Sequence, residues 1–246
     1  MSSNPEITLH HLNASRSERI FWILEELSLP YNVQVHLRTP SRSAPPSLLK
    51  ISPTGKAPAL ILDGKVITES AYIIYKLLSL PSVQSNKTEL DIQVEQTDDD
   101  IFWSHYAEGS MMNLFQASAI VQATSAAYVN GMVVGQLEEG DKEAVKGYSG
   151  FVASKYLGPQ VQGTIDFAEA AINKTQHGWF SGTDKPGSGD FMMFFAINSL
   201  LAGTRAGAFN VGEGLKGWYK RVLDRPAAQR ALQKIKEEEE KAKSKM

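Results

Sequence analysis

Polar and apolar residues alternate from Glu6 to His11, the period-two pattern of a half-buried strand. Asn13 to Ser17 is polar, and Ile20, Ile23, Leu24 and Leu27 then recur at helical spacing. Pro30 stops that helix, Tyr31 to Leu37 reads as a second strand, and Thr39 to Pro46 is a loop rich in Ser, Pro and Arg. Ala59 to Leu62 and Lys65 to Ile67, joined by Asp63-Gly64, carry the signal of a hairpin with a two-residue turn. Ala71, Ile74, Tyr75 and Leu78 mark a further amphipathic helix. This order predicts one mixed sheet with helices packed on it, a compact α/β unit over residues 1–82.

The pattern then changes. Pro81 to Lys87 (PSVQSNK) is linker-like, so we place a linker at 83–89 and a second, all-helical domain at 90–246. Its periodic segments include Leu215, Trp218, Tyr219 and Val222, then Ala228, Ala231, Leu232 and Ile235. Phe191 to Leu201 (FMMFFAINSLL) is apolar almost all round and is expected to be the buried central helix, its Met and Phe content serving the core. Tyr128 to Tyr156, with several glycines and the charged stretch Glu138 to Glu143, yields no clear assignment. The run Lys236 to Lys245 reads as a frayed, solvated helix end, and no internal repeat is visible.

Composition narrows the chemistry. With 25 basic against 27 acidic residues and a net charge of -2, no global field attracts nucleic acid, so an anionic ligand must be held locally. The chain has no cysteine, which excludes disulfides, thiolate metal sites and a protein-borne nucleophilic thiol; no metal is expected, and any sulfur chemistry needs a borrowed thiol. The start, MSSNPEITLHHL, lacks a leader pattern and no apolar run is long enough to span a membrane, so the expected location is cytoplasmic. Ser244-Lys245-Met246 differs by one conservative step from the S-K-L peroxisomal address, a triplet that a Lys-rich tail also produces by chance.

Three short motifs have a chemical reading beside a structural one. Ser15-Arg16-Ser17-Glu18 matches a capping box, with Ser15 as N-cap and Glu18 returning to it. The same helix start favours an anion such as a thiolate. Lowering a thiol from its usual pKa by about two units needs roughly 2.7 kcal/mol, within reach of a hydroxyl donor plus a helix terminus. In Pro53-Thr54-Gly55-Lys56-Ala57-Pro58, the proline suits a strand's first residue; if the Ala57-Pro58 bond is cis, the Ala57 backbone is open to an extended peptide. Thr68-Glu69-Ser70 is either an N-cap with an acidic first turn, or a site where Ser70 receives a carboxylate and Glu69 an amine.

In this order and spacing, the segments LHHLNASRSERIFWILEELSLPY, KISPTGKAPAL and ITES resemble the N-terminal domain of the glutathione transferases, most of all the fungal and bacterial Gtt-type members. HYAEGSM, GWFSG, GDFMM and WYKRVLDRPA extend the resemblance less specifically into the helical half. The resemblance implies a thioredoxin-like domain followed by an all-α domain, glutathione as co-substrate, small hydrophobic electrophiles as partners, and a homodimer. It implies Ser15 as the residue that stabilises the thiolate, with Ser17 and Asn13 as alternatives. Ala57 would pair with the cysteinyl part of glutathione beside a cis Pro58, Glu69 and Ser70 would hold its γ-glutamyl end, and Lys56 or Arg42 the glycine carboxylate. Tyr106 and Met112 are offered for the electrophile, although core packing explains either.

Two departures stand out. The basic residue that many relatives carry ten positions before the proline matched by Pro53 is replaced by Ser43, and the Ser or Thr that opens the central helix three before an Asp is replaced by Gly187 before Asp190, which predicts slightly weaker capping. The implied activity is conjugation of the glutathione thiolate to electrophiles, a detoxifying reaction, with peroxide reduction on the side. A non-catalytic carrier of hydrophobic ligands and a transferase-like interaction module are the rival readings.

Overall fold

The structure is a computed structural model and describes residues 5–40, 43–130 and 138–245. Strand β1 (Ile7–Leu12) runs parallel to β2 (Asn32–His36) and antiparallel to β3 (Ala59–Leu62), which pairs with β4 (Lys65–Thr68), giving the order β2-β1-β3-β4. Asp63 and Gly64 have φ of 48° and 77°, the left-handed pair that a two-residue hairpin turn requires. Successive β1 side chains take opposite faces. On one face His10 meets His36, Nδ1 to Nε2 at 3.0 Å, and His36 reaches Ser47 of a short helix α2 (Pro46–Leu49) at 2.9 Å. On the other, His11 packs edge-on against Phe21 of α1 (Glu18–Glu26). Helix α3 (Ser70–Leu78) follows the hairpin, and α4 (Pro81–Ser85) is one turn of helix within the stretch that reads as linker.

The regular elements of the described remainder are helices. Helix α5 (Asp98–Tyr106) passes through a π-helical stretch, Ala107–Met112, into α6 (Asn113–Val129). Helix α7 (Glu139–Phe151) passes through a second, Val152–Leu157, into α8 (Gly158–Ile172), so the described part of the unassigned segment is helix. Helix α9 (Ser188–Leu201) is buried along nearly its whole length, as its composition predicts, and is followed by α10 (Glu213–Leu223) and α11 (Pro226–Lys243). A thioredoxin-like mixed sheet followed by helices is therefore the observed fold class. Among the described residues no helix is long and apolar enough to cross a membrane.

Helix α1 joins the halves. Its fully buried Trp22 packs against Phe191 and Phe194 of α9 at ring distances of 4.6 and 5.3 Å, while Glu26 pairs with Arg225 at 2.5 Å and Glu25 with Arg230 at 2.9 Å. The run from Lys236, expected to be frayed and solvated, is ordered helix through Lys243. Ile235 packs on the core, and one turn later on the same face Glu239 reaches His11.

At the start of α9, where Gly187 offers no side-chain cap, two buried carboxylates accept the free N–H groups. Asp190 accepts the Gly187, Phe180 and Ser181 N–H groups and the Trp218 indole N–H at 2.7–3.0 Å. Asp100 of α5 accepts the Gly189 N–H at 2.8 Å. A Cβ on Gly187 would lie 2.4 Å from Asp100 Oδ1, so the carboxylate occupies the space of the missing side chain.

Candidate active site

The register gathers the three motifs. His10 lies opposite Ala59 and Ala59 opposite Thr68, so the C-terminal end of β1, the N-terminal end of β3 and the C-terminal end of β4 share one edge of the sheet. Asn13 to Ser17, Lys56 to Pro58 and Glu69-Ser70 lie just beyond that edge.

The predicted capping box does not form. Helix α1 starts at Glu18 with Ser17 as N-cap, and among the described residues no side chain caps it. Glu18 turns away because its carboxylate accepts the Asn198 amide of α9 at 2.8 Å, and burial pushes its carboxyl up to about 7. The Ser15 hydroxyl accepts the Ser17 N–H at 3.3 Å, a local turn stabilised by a side chain, and lies 2.7 Å from the Ser17 hydroxyl. Ser17 Oγ is 2.6 Å from His11 Nδ1, and His11 Nε2 is 3.0 Å from Glu239 Oε1. Exposure falls inward along this string, from 6% at Ser15 to 0% at Ser17 and His11.

Of the alternatives to Ser15, Ser17 is sealed inside the string, and the Asn13 side-chain amide oxygen Oδ1 accepts the Arg38 backbone N–H at 2.7 Å. Ala57-Pro58 is a cis peptide bond; Ala57 is half-buried and its peptide groups bond to no other described residue, while Lys56 is exposed. Glu69 departs from the predicted cap: Thr68 ends β4, and Glu69 holds φ of 69° immediately before Ser70 opens α3. A non-glycine residue in that region is strained, a feature concentrated at ligand-binding sites. Ser70 is buried, and Arg42 lies outside the described residues.

The helical half contributes Glu108, from the π-helical stretch, which pairs with Arg16 at 2.8 Å and with the fully buried Arg19. Burial lowers the Arg19 pKa and the Glu108 carboxylate opposes that shift. Tyr106 sits in an aromatic cluster with Phe102, Trp103 and Phe167, and its hydroxyl, pushed up to about 12 by burial, donates to the Thr164 carbonyl at 2.9 Å. Met112 is buried in the core. Two surface concavities, one lined by Ser125, Asn130 and Ser149 and one by Glu25, Trp179 and Arg221, involve none of the motif residues.

His11, Glu239, Glu108 and Arg19 are absent from the residues that the sequence nominates. For His11 a signal exists: it continues the inward-facing positions of Ile7 and Leu9, where a histidine needs a partner.

Comparison with known proteins supplies the context. The family model described as "Glutathione S-transferase, N-terminal domain" matches residues 9–85. Glutathione S-transferase 3 of Schizosaccharomyces pombe is 30% identical over 234 residues, covering 94% of this chain and 88% of the relative. A glutathione transferase of Phanerochaete chrysosporium shares the fold with a TM-score of 0.67 at 16% identity, over 98% of this chain and 100% of that one. A glutathione transferase homolog of Lodderomyces elongisporus, solved with two GSH per subunit, matches with a TM-score of 0.60 at 16% identity, over 93% and 98% of the respective chains.

Proposed function

Because the chain belongs to the glutathione S-transferase family, we propose that it binds glutathione along the sheet edge that gathers its three motifs and transfers the thiolate to hydrophobic electrophiles. Ser15 donates its hydroxyl to the sulfur at the start of α1. The Ala57 backbone pairs with the cysteinyl unit, Glu69 and Ser70 hold the γ-glutamyl head group, and Lys56, exposed beside them, takes the glycine carboxylate. The enzyme's contribution is to ionise and position the thiol, after which a soft electrophilic carbon or a peroxide oxygen serves as acceptor.

The observation that carries this reading is the convergence of a buried serine hydroxyl, an Ala57 backbone that bonds to no other described residue and a strained Glu69 at one end of the sheet. The family adds the ligand. Turnover of a panel of electrophiles and hydroperoxides, measured for the wild type and Ser15→Ala, tests it. Loss of one charge-assisted donor is expected to lower kcat/KM at neutral pH by about 10-fold or more. Glutathione binding without turnover would leave the carrier reading, and no glutathione binding would refute both.

The proposal includes a homodimer. Tyr72 and Tyr75 of α3 stack on each other while 53% and 50% exposed, and Val66, Ile101 and Phe102 are similarly open. Apolar area of this kind, facing solvent on a single chain, suits a self-association surface. Sedimentation equilibrium of the wild type and of Tyr72→Glu reads it directly.

A further inference from the structure

The string Ser15–Ser17–His11–Glu239 does more than place a hydroxyl, because its hydrogen bonds have a direction. Ser17 has one hydroxyl proton and two close partners, Ser15 Oγ at 2.7 Å and His11 Nδ1 at 2.6 Å. It donates to one and accepts from the other. An ionised Glu239 carboxylate at 3.0 Å only accepts, so His11 carries its proton on Nε2 and presents Nδ1 as a lone pair. Ser17 then donates to His11, and Ser15 donates to Ser17. In that state the Ser15 proton points inward and is not available to a thiolate.

We propose that His11, reached through Ser17 and Ser15, is the terminal acceptor of the glutathione thiol proton, and that Glu239 of the C-terminal helix holds it in the accepting tautomer. This rests on the glutathione reading above. As the thiol proton moves to Ser15 Oγ, the Ser15 proton moves to Ser17 Oγ and the Ser17 proton to His11 Nδ1. One S–H bond breaks, one N–H bond forms, and each hydroxyl keeps one proton with its direction reversed. The products are a thiolate that accepts from Ser15 and an imidazolium that donates to Ser17 and Glu239. Ser15 is the group that touches sulfur; Ser17, His11 and Glu239 are positioning residues acting through it.

Several charged groups surround His11. Glu239 adds to the upward push that burial gives the Glu18 carboxyl on α1, and Lys243 on α11 lies 4.0 Å from the other Glu239 oxygen. On the sheet, His10 and His36 have pKa values lowered chiefly by burial, which favours their neutral forms and limits competition for the proton. In the product, the Glu239 carboxylate accepts the imidazolium Nε2–H across the 3.0 Å contact.

The test is the pH titration of bound glutathione followed by ultraviolet thiolate absorbance, with affinity for S-methylglutathione, which has no thiol proton, measured alongside. Ser17→Ala and Glu239→Gln are each expected to raise the apparent pKa of the bound thiol by about one unit or more and to lower kcat at neutral pH about 10-fold. Their affinity for S-methylglutathione is expected to stay at the wild-type value. Glu240→Gln, an exposed neighbour of Glu239, serves as control with an unchanged profile. His11→Phe should shift the thiol pKa in the same way, but the conclusion stands on the two smaller changes. Wild-type thiol pKa in both Ser17→Ala and Glu239→Gln, with S-methylglutathione bound, overturns the relay and leaves the transferase reading intact. Failure of the wild type to bind either glutathione compound removes that reading and the relay together.

Discussion

Replacing Gly187 by serine separates two kinds of reasoning by the sign of the effect. By capping preference alone, serine is a better N-cap than glycine by a few tenths of a kcal/mol, so Gly187→Ser should stabilise α9 slightly. The structure predicts the opposite. The new Cβ would lie 2.4, 2.6 and 2.8 Å from Oδ1, Oδ2 and Cγ of Asp100, all below any ordinary contact. Asp100 cannot yield cheaply, because it is fully buried and its carboxylate accepts the Gly189 N–H at 2.8 Å and the Thr97 N–H at 3.2 Å. Hydrogen bonds to a charged group contribute about 1.5–3 kcal/mol each, so displacing the carboxylate from both costs about 3 kcal/mol or more. For a chain of this size that corresponds to a fall in Tm of about 6–12 °C. Urea denaturation of the wild type, Gly187→Ser, Asp100→Ala and the double variant provides the assay as a double-mutant cycle. Asp100→Ala is destabilising by itself, and on that background Gly187→Ser should become neutral or favourable. A Gly187→Ser unfolding free energy within about 0.5 kcal/mol of wild type, or additive single effects, would refute the assignment of Asp100 as the occupant of that space.

Other perturbations probe the same account. Burial lowers the pKa values of His10 and His36 from 6.5, so the unfolded chain takes up protons first: stability is present above about pH 6.5 and falls as pH drops below it. Denaturation midpoints along a pH series should show this slope, and His10→Leu should reduce it. Glu18 behaves in the reverse sense. With its pKa raised from 4.5 to about 7, wild-type stability falls by about 3 kcal/mol as pH rises from 4.5 to 7, and Glu18→Gln should flatten that part of the curve while preserving the contact to Asn198. Tyr106→Phe removes the donor to the Thr164 carbonyl and should cost about 1 kcal/mol in denaturant without changing kcat; a large loss of turnover would return Tyr106 to the electrophile site.

What could be read from the sequence follows the range of the interactions involved. The hairpin and central helix α9 are specified by adjacent residues, Asp63-Gly64 and an apolar run, and they appear where those signals lie. The shared sheet edge follows from the strand order, so the motifs at Ala57 and Glu69 converge once the sheet is drawn. Helix α2 has four residues, too few to show a period. The π-helical stretch Ala107–Met112 breaks the 3.6-residue period, so extrapolating one face from α5 into α6 misplaces the later residues. Gly187 was legible as a departure but not its cause, since Asp100 lies 87 positions away in the chain.

Ser15 shows most clearly where local reading stops. In the sequence it is equally a cap or a catalyst, because both uses need a small hydroxyl residue at a helix start. The structure removes the capping box: Glu18 is drawn to Asn198, and no described side chain caps α1. What remains is a hydroxyl bonded to a second buried hydroxyl, then to a histidine, then to a carboxylate 228 positions from that histidine. Glu239 is invisible as a partner because KEEEEKAKSK has the composition of a solvated helix end. Only its place one turn after Ile235, on the packed face, sets it apart. A helix start needs none of these three further groups, and His11 and Ser17 are sealed from water at the cost of desolvating polar atoms. Turn formation accounts for the Ser15 contact to the Ser17 N–H and for nothing deeper in the string; a path for a proton accounts for its order, its direction and its end on a carboxylate.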